Sequence, residues 1–271
     1  MSPVFIFILG LIAVSLIMGL TWKAAININR AGIVDVVWTF SLALLALFYA
    51  LTLGENTGRI SIVMGLLLLW SGRLGFHLIR RVRTEPDDPR YRALMQKWGS
   101  RARLELFRFF QYQAVAASLM SLSFLVVLNY DRPLRWLDGL GLLIGLLALA
   151  GEALSDDQLK RFKQKRGPST NPVCRDGLWA YSRHPNYFFE WLFWVSFVAM
   201  GVGVPQGWMT LIAPASLFYF LRYVSGVPPT EERAVRTKGD AYRAYQEEVS
   251  AFFPWFPKKS SIHRTTRVPY Q

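Results

Sequence analysis

Seven apolar blocks constrain this chain more than any other feature. They run over about residues 4–22, 34–53, 60–79, 112–127, 136–153, 187–204 and 208–224. Each is close to the roughly 20 residues that carry a helix across the hydrocarbon core of a bilayer. Backbone inside lipid must satisfy its own hydrogen bonds, and continuous apolar runs of this length do so as helices. The expected fold is therefore an all-α integral membrane protein with seven transmembrane helices. A composition that is 52% hydrophobic agrees, being too apolar for an ordinary soluble domain. The first block lacks a basic leader and a small-residue cleavage site, so it reads as a retained helix.

Charge then sets an orientation. The formal net charge is +13, and the basic residues cluster. Arg80, Arg81, Arg83, Arg90, Arg92, Lys97, Arg101, Arg103 and Arg108 follow the third block. Lys160, Arg161, Lys163, Lys165, Arg166, Arg175 and Arg183 follow the fifth, and the C-terminal tail is basic too. Segments 54–59, 129–135 and 205–207 carry little net charge. The positive-inside rule places the basic segments and the C-terminus in the cytoplasm and the N-terminus outside. That rule accounts for the charge without nucleic acid, and no nucleic-acid-binding signature accompanies it. The single cysteine, Cys174, excludes an intramolecular disulfide and a multi-cysteine metal site, so no metal is expected. No repeat or linker divides the chain. One membrane domain over 1–259 is expected, followed by a flexible basic tail at 260–271.

The polar segments that can carry chemistry all lie on the cytoplasmic side of that arrangement. The densest is 177–190, which packs Tyr181, Arg183, His184, Asn186, Tyr187 and Glu190 into ten positions. Pro185 favours an extended His184 and can open a helix. Asn186 and Glu190 then share a face at i, i+4 spacing. Arg183 offers a planar fork to phosphate, and the helix start adds free backbone donors. An aromatic interface with a snorkelling arginine is the plainer account of any one of these residues. Where the fifth block leaves the membrane, Asp156, Lys160 and Lys163 fall on one helical face. They form an interfacial ion-pair ladder or part of a site, and Glu152 lies deeper. After the seventh block come Arg222, Glu231, Glu232 and Tyr245. The two glutamates cap a helix, or reach a ribose or amide, and the two roles are compatible.

Within the membrane half, Asp35 opens the second span. Trp70, Arg73 and His77 share one face of the third. Intramembrane ionisable groups are functional candidates by default; the alternative is an Asp35–Arg73 clip between helices. Gly-X-Gly-X-X-Gly, P-loop and Gly-X-Ser-X-Gly signatures are absent from the sequence, as is a credible Ser/His/Asp triad.

At 177–190 the sequence resembles a membrane superfamily. Tyr181-Ser182-Arg183-His184-Pro185-Asn186-Tyr187, then Glu231-Glu232 and Asp240-Ala241-Tyr242-Arg243-Ala244-Tyr245, is similar to a C-terminal core. That core is shared by steroid 5α-reductases, sterol reductases and isoprenylcysteine or phospholipid methyltransferases. Asp35-Val36-Val37-Trp38, Trp70-Ser71-Gly72-Arg73, Asp88-Pro89-Arg90-Tyr91 and Ser155-Asp156 make it most similar to bacterial members of the 3-oxo-5α-steroid 4-dehydrogenase family. The resemblance covers roughly 33–257.

It implies a single-subunit NADPH-dependent reductase of a conjugated double bond in an apolar steroid-like enone, set in membrane lipid of a bacterial inner membrane. It implies that Asp156, Lys160, Lys163, Arg175, Tyr181, Arg183, His184, Asn186, Tyr187, Glu190, Arg222, Glu231, Glu232 and Tyr245 hold the cofactor. Asp35, Trp70 and Arg73 take the catalytic positions, and Trp38 and His77 contact substrate. The chain departs from the eukaryotic pattern, where a Gln-Glu pair and a tyrosine hold the substrate carbonyl; Asp35 and Trp70 stand roughly there. An S-adenosylmethionine-dependent methyltransferase is the alternative that the shared core allows.

Overall fold

A computed structural model describes residues 1–53, 57–84, 89–165 and 172–258. The expected tail at 260–271 lies outside the described residues, as does Asp88. Among the described residues ten α-helices follow one another: α1 (Pro3–Ile28), α2 (Ile33–Leu53), α3 (Thr57–Thr84), α4 (Pro89–Trp98), α5 (Ala102–Leu128), α6 (Trp136–Lys165), α7 (Pro185–Gly201), α8 (Ile212–Tyr219), α9 (Val227–Lys238) and α10 (Asp240–Glu248). Short 3₁₀ turns and one π turn (Phe220–Val224) connect some of them. Among the described residues the one β-type pairing is a parallel bridge between Ser182 and Ser250.

Among the described residues six stretches are long and apolar enough to cross a membrane: α1, α2, α3, Arg90–Leu128, α6 and Gly207–Lys238. Against the seven expected spans, α7 falls short. It has 17 residues, which at 1.5 Å per residue rise about 26 Å, less than the roughly 30 Å of a hydrocarbon core. The last stretch is broken by the π turn and by Gly226. Its apolar part ends near Val224, and α9 beyond it carries Glu231, Glu232, Arg233, Arg236 and Lys238. Helix α5 begins ten residues before its apolar block, because its charged first turns still hydrogen-bond as helix.

Local chemistry sets the ends. Ser2 Oγ accepts from the Phe5 amide, with Pro3 in the first turn of α1. Asn29 stops α1 in the left-handed region at φ 52°, a conformation Asn tolerates. Pro185 opens α7 as its sequence position predicts.

The chain divides into two compact units. The first comprises Met1–Leu143 and Val195–Ala213, the second Ile144–Trp194 and Pro214–Gln271. In the first, α5 is central: α1, α2, α3 and α4 all pack on it. Its core includes Tyr49, whose hydroxyl lies 3.0 Å from Ser121 Oγ. At the start of α3, Arg59 is buried. It pairs with Asp138 through Nε (3.2 Å) and Nη2 (2.9 Å). Its remaining N–H groups donate to the carbonyls of Tyr130, Arg132 and Pro133. A buried arginine is tolerable here because its donors are met.

In the second unit, α6 and α7 approach closely at Gly151, where Phe189 occupies the space a β-carbon would need. Phe188, Trp191, Phe218, Phe252 and Phe253 pack edge to face. They pin residues 249–258 against α7 and α8. Tyr242, Tyr245, Val249 and Val173 form a small core under α9 and α10.

Candidate functional site

The second unit contains a cleft of about 460 Å³ whose walls come from four segments. α6 supplies Leu159 and Lys163. The segment after it gives Val173, Cys174 and Trp179, and the start of α7 gives Arg183, His184, Asn186 and Tyr187. One face of α9 and α10 completes it.

Its positions follow from local geometry. Gly177 has φ +56°, a left-handed turn that glycine adopts without cost. That turn brings the Leu178 amide to Gln158 Oε1 (3.0 Å) and the Trp179 indole N–H to the Ser155 carbonyl (2.9 Å). Ser182 Oγ accepts from the His184 amide and donates to the Phe252 carbonyl. The loop before α7 is thereby tied on both sides.

Glu231 organises the wall. Its carboxylate accepts from Arg183 Nε (2.6 Å) and Nη2 (3.2 Å), from Gln246 Nε2 (2.7 Å), and from His184 Nε2 (3.1 Å). Arg183 Nη1 donates to the carbonyls of Gln246 and Val249. The pair is largely buried, with side chains 10% and 12% exposed. Burial alone raises the Glu231 carboxyl, but hydrogen bonds from His184, Arg183 and Gln246 outweigh it and hold it at about 2. A carboxylate only accepts, so His184 Nε2 is the donor in this contact. The His184 ring stacks on Tyr187 with centroids 5.1 Å apart and planes 5° apart. Tyr187 Oη lies 3.3 Å from Thr230 Oγ1. Burial raises the Tyr242 and Tyr245 phenols and the Cys174 thiol, so all three face neutral solution protonated.

Six of the residues expected to hold a cofactor line this cleft: Lys163, Arg183, His184, Asn186, Tyr187 and Tyr245. Glu231 stands behind it as their anchor. The others are placed differently. Arg175 pairs with Glu248 and lies over the Tyr245 ring. Tyr181 is exposed and packs on Phe256. Glu190 accepts from the Trp194 indole at 3.2 Å. Arg222 covers the Tyr223 ring, and Glu232 makes an exposed pair with Arg236. Asp156 and Lys160 lie on α6 but do not line the cleft. Arg183 is mostly committed to internal partners, so it shapes the wall more than it presents charge.

Two further cations line the cleft: Arg233, which the sequence places in the candidate group after the seventh block without a cofactor role, and Lys238, which it does not single out. Their signal was present: Thr230, Arg233, Ala234, Thr237 and Lys238 follow i, i+3, i+4, i+7, i+8 spacing and share one face of α9. Among the described lining residues there are cationic side chains and no carboxylate. The Asn186 amide oxygen is buried there without a hydrogen-bond partner, an arrangement that calls for a donor from a ligand.

The first unit holds the intramembrane candidates. Asp35 is half-buried. Its Oδ1 accepts from the Tyr91 hydroxyl at 2.6 Å and its Oδ2 lies 3.5 Å from Arg90 Nη2. Trp38 and Trp70 meet edge to face at 6.3 Å. Trp70 is fully buried, and the Trp38 indole N–H is buried without a hydrogen-bond partner. Arg73 is half-buried, whereas His77 at the far end of the same face is exposed. Tyr91, of the Asp88-Pro89-Arg90-Tyr91 stretch, is a hydrogen-bond partner of Asp35 that sequence spacing does not reveal.

The family described as "Protein of unknown function (DUF1295)" matches residues 21–249, and the chain belongs to it. The chain is 25% identical over 281 aligned residues to the uncharacterized protein C594.04c of Schizosaccharomyces pombe. That match covers 92% of this chain and 79% of the relative. No solved structure matches the chain.

Proposed function

We propose that this protein is a membrane-embedded reductase that uses NADPH to saturate the conjugated double bond of an apolar enone, with Δ4-3-oxosteroids as the expected substrate class. The observation that carries the reading is the second unit's cleft: cationic, aromatic-walled and free of carboxylates among its described lining. A polyanionic dinucleotide suits that lining. S-adenosylmethionine, with a cationic sulfonium and no phosphate, suits it less.

The residues present fit the cofactor in kind. Lys163, Arg233 and Lys238 supply positive charge for phosphates. The Asn186 oxygen supplies an acceptor for an amide or hydroxyl donor. Tyr187, backed by His184, supplies a flat wall, and Glu231 fixes the ring it rests on. The volume accommodates part of a dinucleotide, leaving the rest toward solvent. When bound, NADPH supplies a hydride for the β-carbon of the enone.

Hydride addition drives negative charge onto the carbonyl oxygen, and a preorganised donor there lowers the barrier. We assign that role in the first unit to Asp35 acting as a protonated carboxyl, with its Oδ1 held by the Tyr91 hydroxyl at 2.6 Å and its own O–H left for the substrate oxygen. Trp70 and Arg73 shape its surroundings, and the α-carbon takes a proton from solvent water to complete the reduction. We further propose seven crossings, counting α7, with the N-terminus outside and the C-terminus cytoplasmic, on the strength of the loop charges.

The test is direct. Purified protein in detergent is expected to bind NADPH with an affinity that falls steeply with salt. Lys163→Gln and Arg233→Gln are each expected to weaken it about tenfold. Turnover of a steroid-enone panel identifies the substrate. Binding of S-adenosylmethionine with no affinity for NADPH overturns the reading in favour of a methyltransferase.

A further inference from the structure

A second cleft, of about 550 Å³, lies wholly in the first unit. The proposed reduction makes no use of it. Three arginines from three segments converge on it: Arg30 in the turn after α1, Arg92 on α4 and Arg103 at the start of α5. The described lining includes no carboxylate, and Glu105 on α5 is paired with Arg108 at 2.8 Å.

The positions are built rather than incidental. Arg30 Nη1 donates to the Val82 carbonyl. The Arg103 carbonyl accepts from the Trp22 indole at 2.9 Å, which ties the start of α5 to α1. Asn29 and Gln96 add amides, while Ile26, Met95 and Leu106 give the cleft an apolar side.

Guanidinium groups recognise tetrahedral oxyanions with paired donors. A free phosphate has no use for the apolar side. A lipid phosphate does, because its glycerol and acyl carbons continue away from the charge. The cleft also sits where α1 ends and α2 begins, two helices long and apolar enough to cross a membrane. Basic pockets between such helices are suited to anionic headgroups. We propose that this cleft binds the phosphate headgroup of an anionic phospholipid.

The experiment places the full chain in phosphatidylcholine nanodiscs with and without phosphatidylglycerol. Thermal unfolding and lipid retention by native mass spectrometry are the readouts. Phosphatidylglycerol is expected to raise the Tm of the wild type and to remain bound. Arg92→Gln/Arg103→Gln, at two exposed positions, is expected to lose the shift and to weaken retention about tenfold per arginine. Gln96→Glu keeps every arginine but adds an anion to the cleft. It is expected to lose the shift too, and it carries the test if the double variant folds poorly. An equal shift in all three proteins overturns the proposal. So does an equal shift from inorganic phosphate in phosphatidylcholine alone, which assigns the cleft to a soluble anion.

Discussion

Glu231→Ala should be the most damaging single change in the second unit. It removes the acceptor on which Arg183, His184 and Gln246 converge. It leaves a guanidinium, only 10% exposed, without its counter-ion. Breaking a buried pair from one side costs about 3–5 kcal/mol. Two carbonyls still accept from Arg183, so the lower end, about 3 kcal/mol, is expected. Linkage gives a similar figure by another route. The carboxyl is held at about 2 instead of 4.5. At about 1.4 kcal/mol per pH unit, its ionised form contributes about 3 kcal/mol to folding. Because the folded value is depressed, that contribution is complete above pH 4.5 and disappears as pH falls toward 2. Unfolding in mixed detergent micelles, followed by circular dichroism at neutral pH and across the acid range, measures both. The wild type should lose this increment between those values. Glu231→Gln should start lower and show a correspondingly shallower acid dependence. A Glu231→Ala protein within about 0.5 kcal/mol of wild type, or a Gln variant with the wild-type acid profile, refutes the reasoning.

Other outcomes follow from the same geometry. Arg59→Ala leaves Asp138 buried without its bidentate partner and should destabilise by about 3–5 kcal/mol, whereas Arg59→Leu/Asp138→Leu should recover much of that; a double-mutant cycle reads the coupling. Asp35→Asn and Tyr91→Phe should each lower kcat by about a hundredfold with NADPH affinity unchanged; joint loss of binding and turnover points to misfolding instead. Gly177→Ala forces an alanine into φ +56° and against Gln158, and a loss of about 2 kcal/mol is expected in thermal unfolding.

The sequence alone determined the helical class, the apolar stretch of each long helix and the start of α7 at Pro185. Apolar length and proline position act locally, and neither needs a partner to be read. It also revealed which residue types crowd before α7. What it could not reveal is which of them share a surface. Arg183 and Glu231 lie 48 positions apart, and Asp35 and Tyr91 56 apart; no periodicity links either pair. Only packing decided that Glu231 anchors the wall, that Arg233 and Lys238 face the cleft, and that Glu190, Arg175 and Arg222 have partners elsewhere. The short segments 54–59 and 129–135 carry little net charge, yet Arg59 at the end of the first and Asp138 just past the second form a buried pair. Net charge over a segment hides a cation and an anion brought together from different segments. The three-arginine cleft shows the converse. Basic residues first read as a topological signal converge in space because α1, α4 and α5 pack together, and convergence is a property of the tertiary structure.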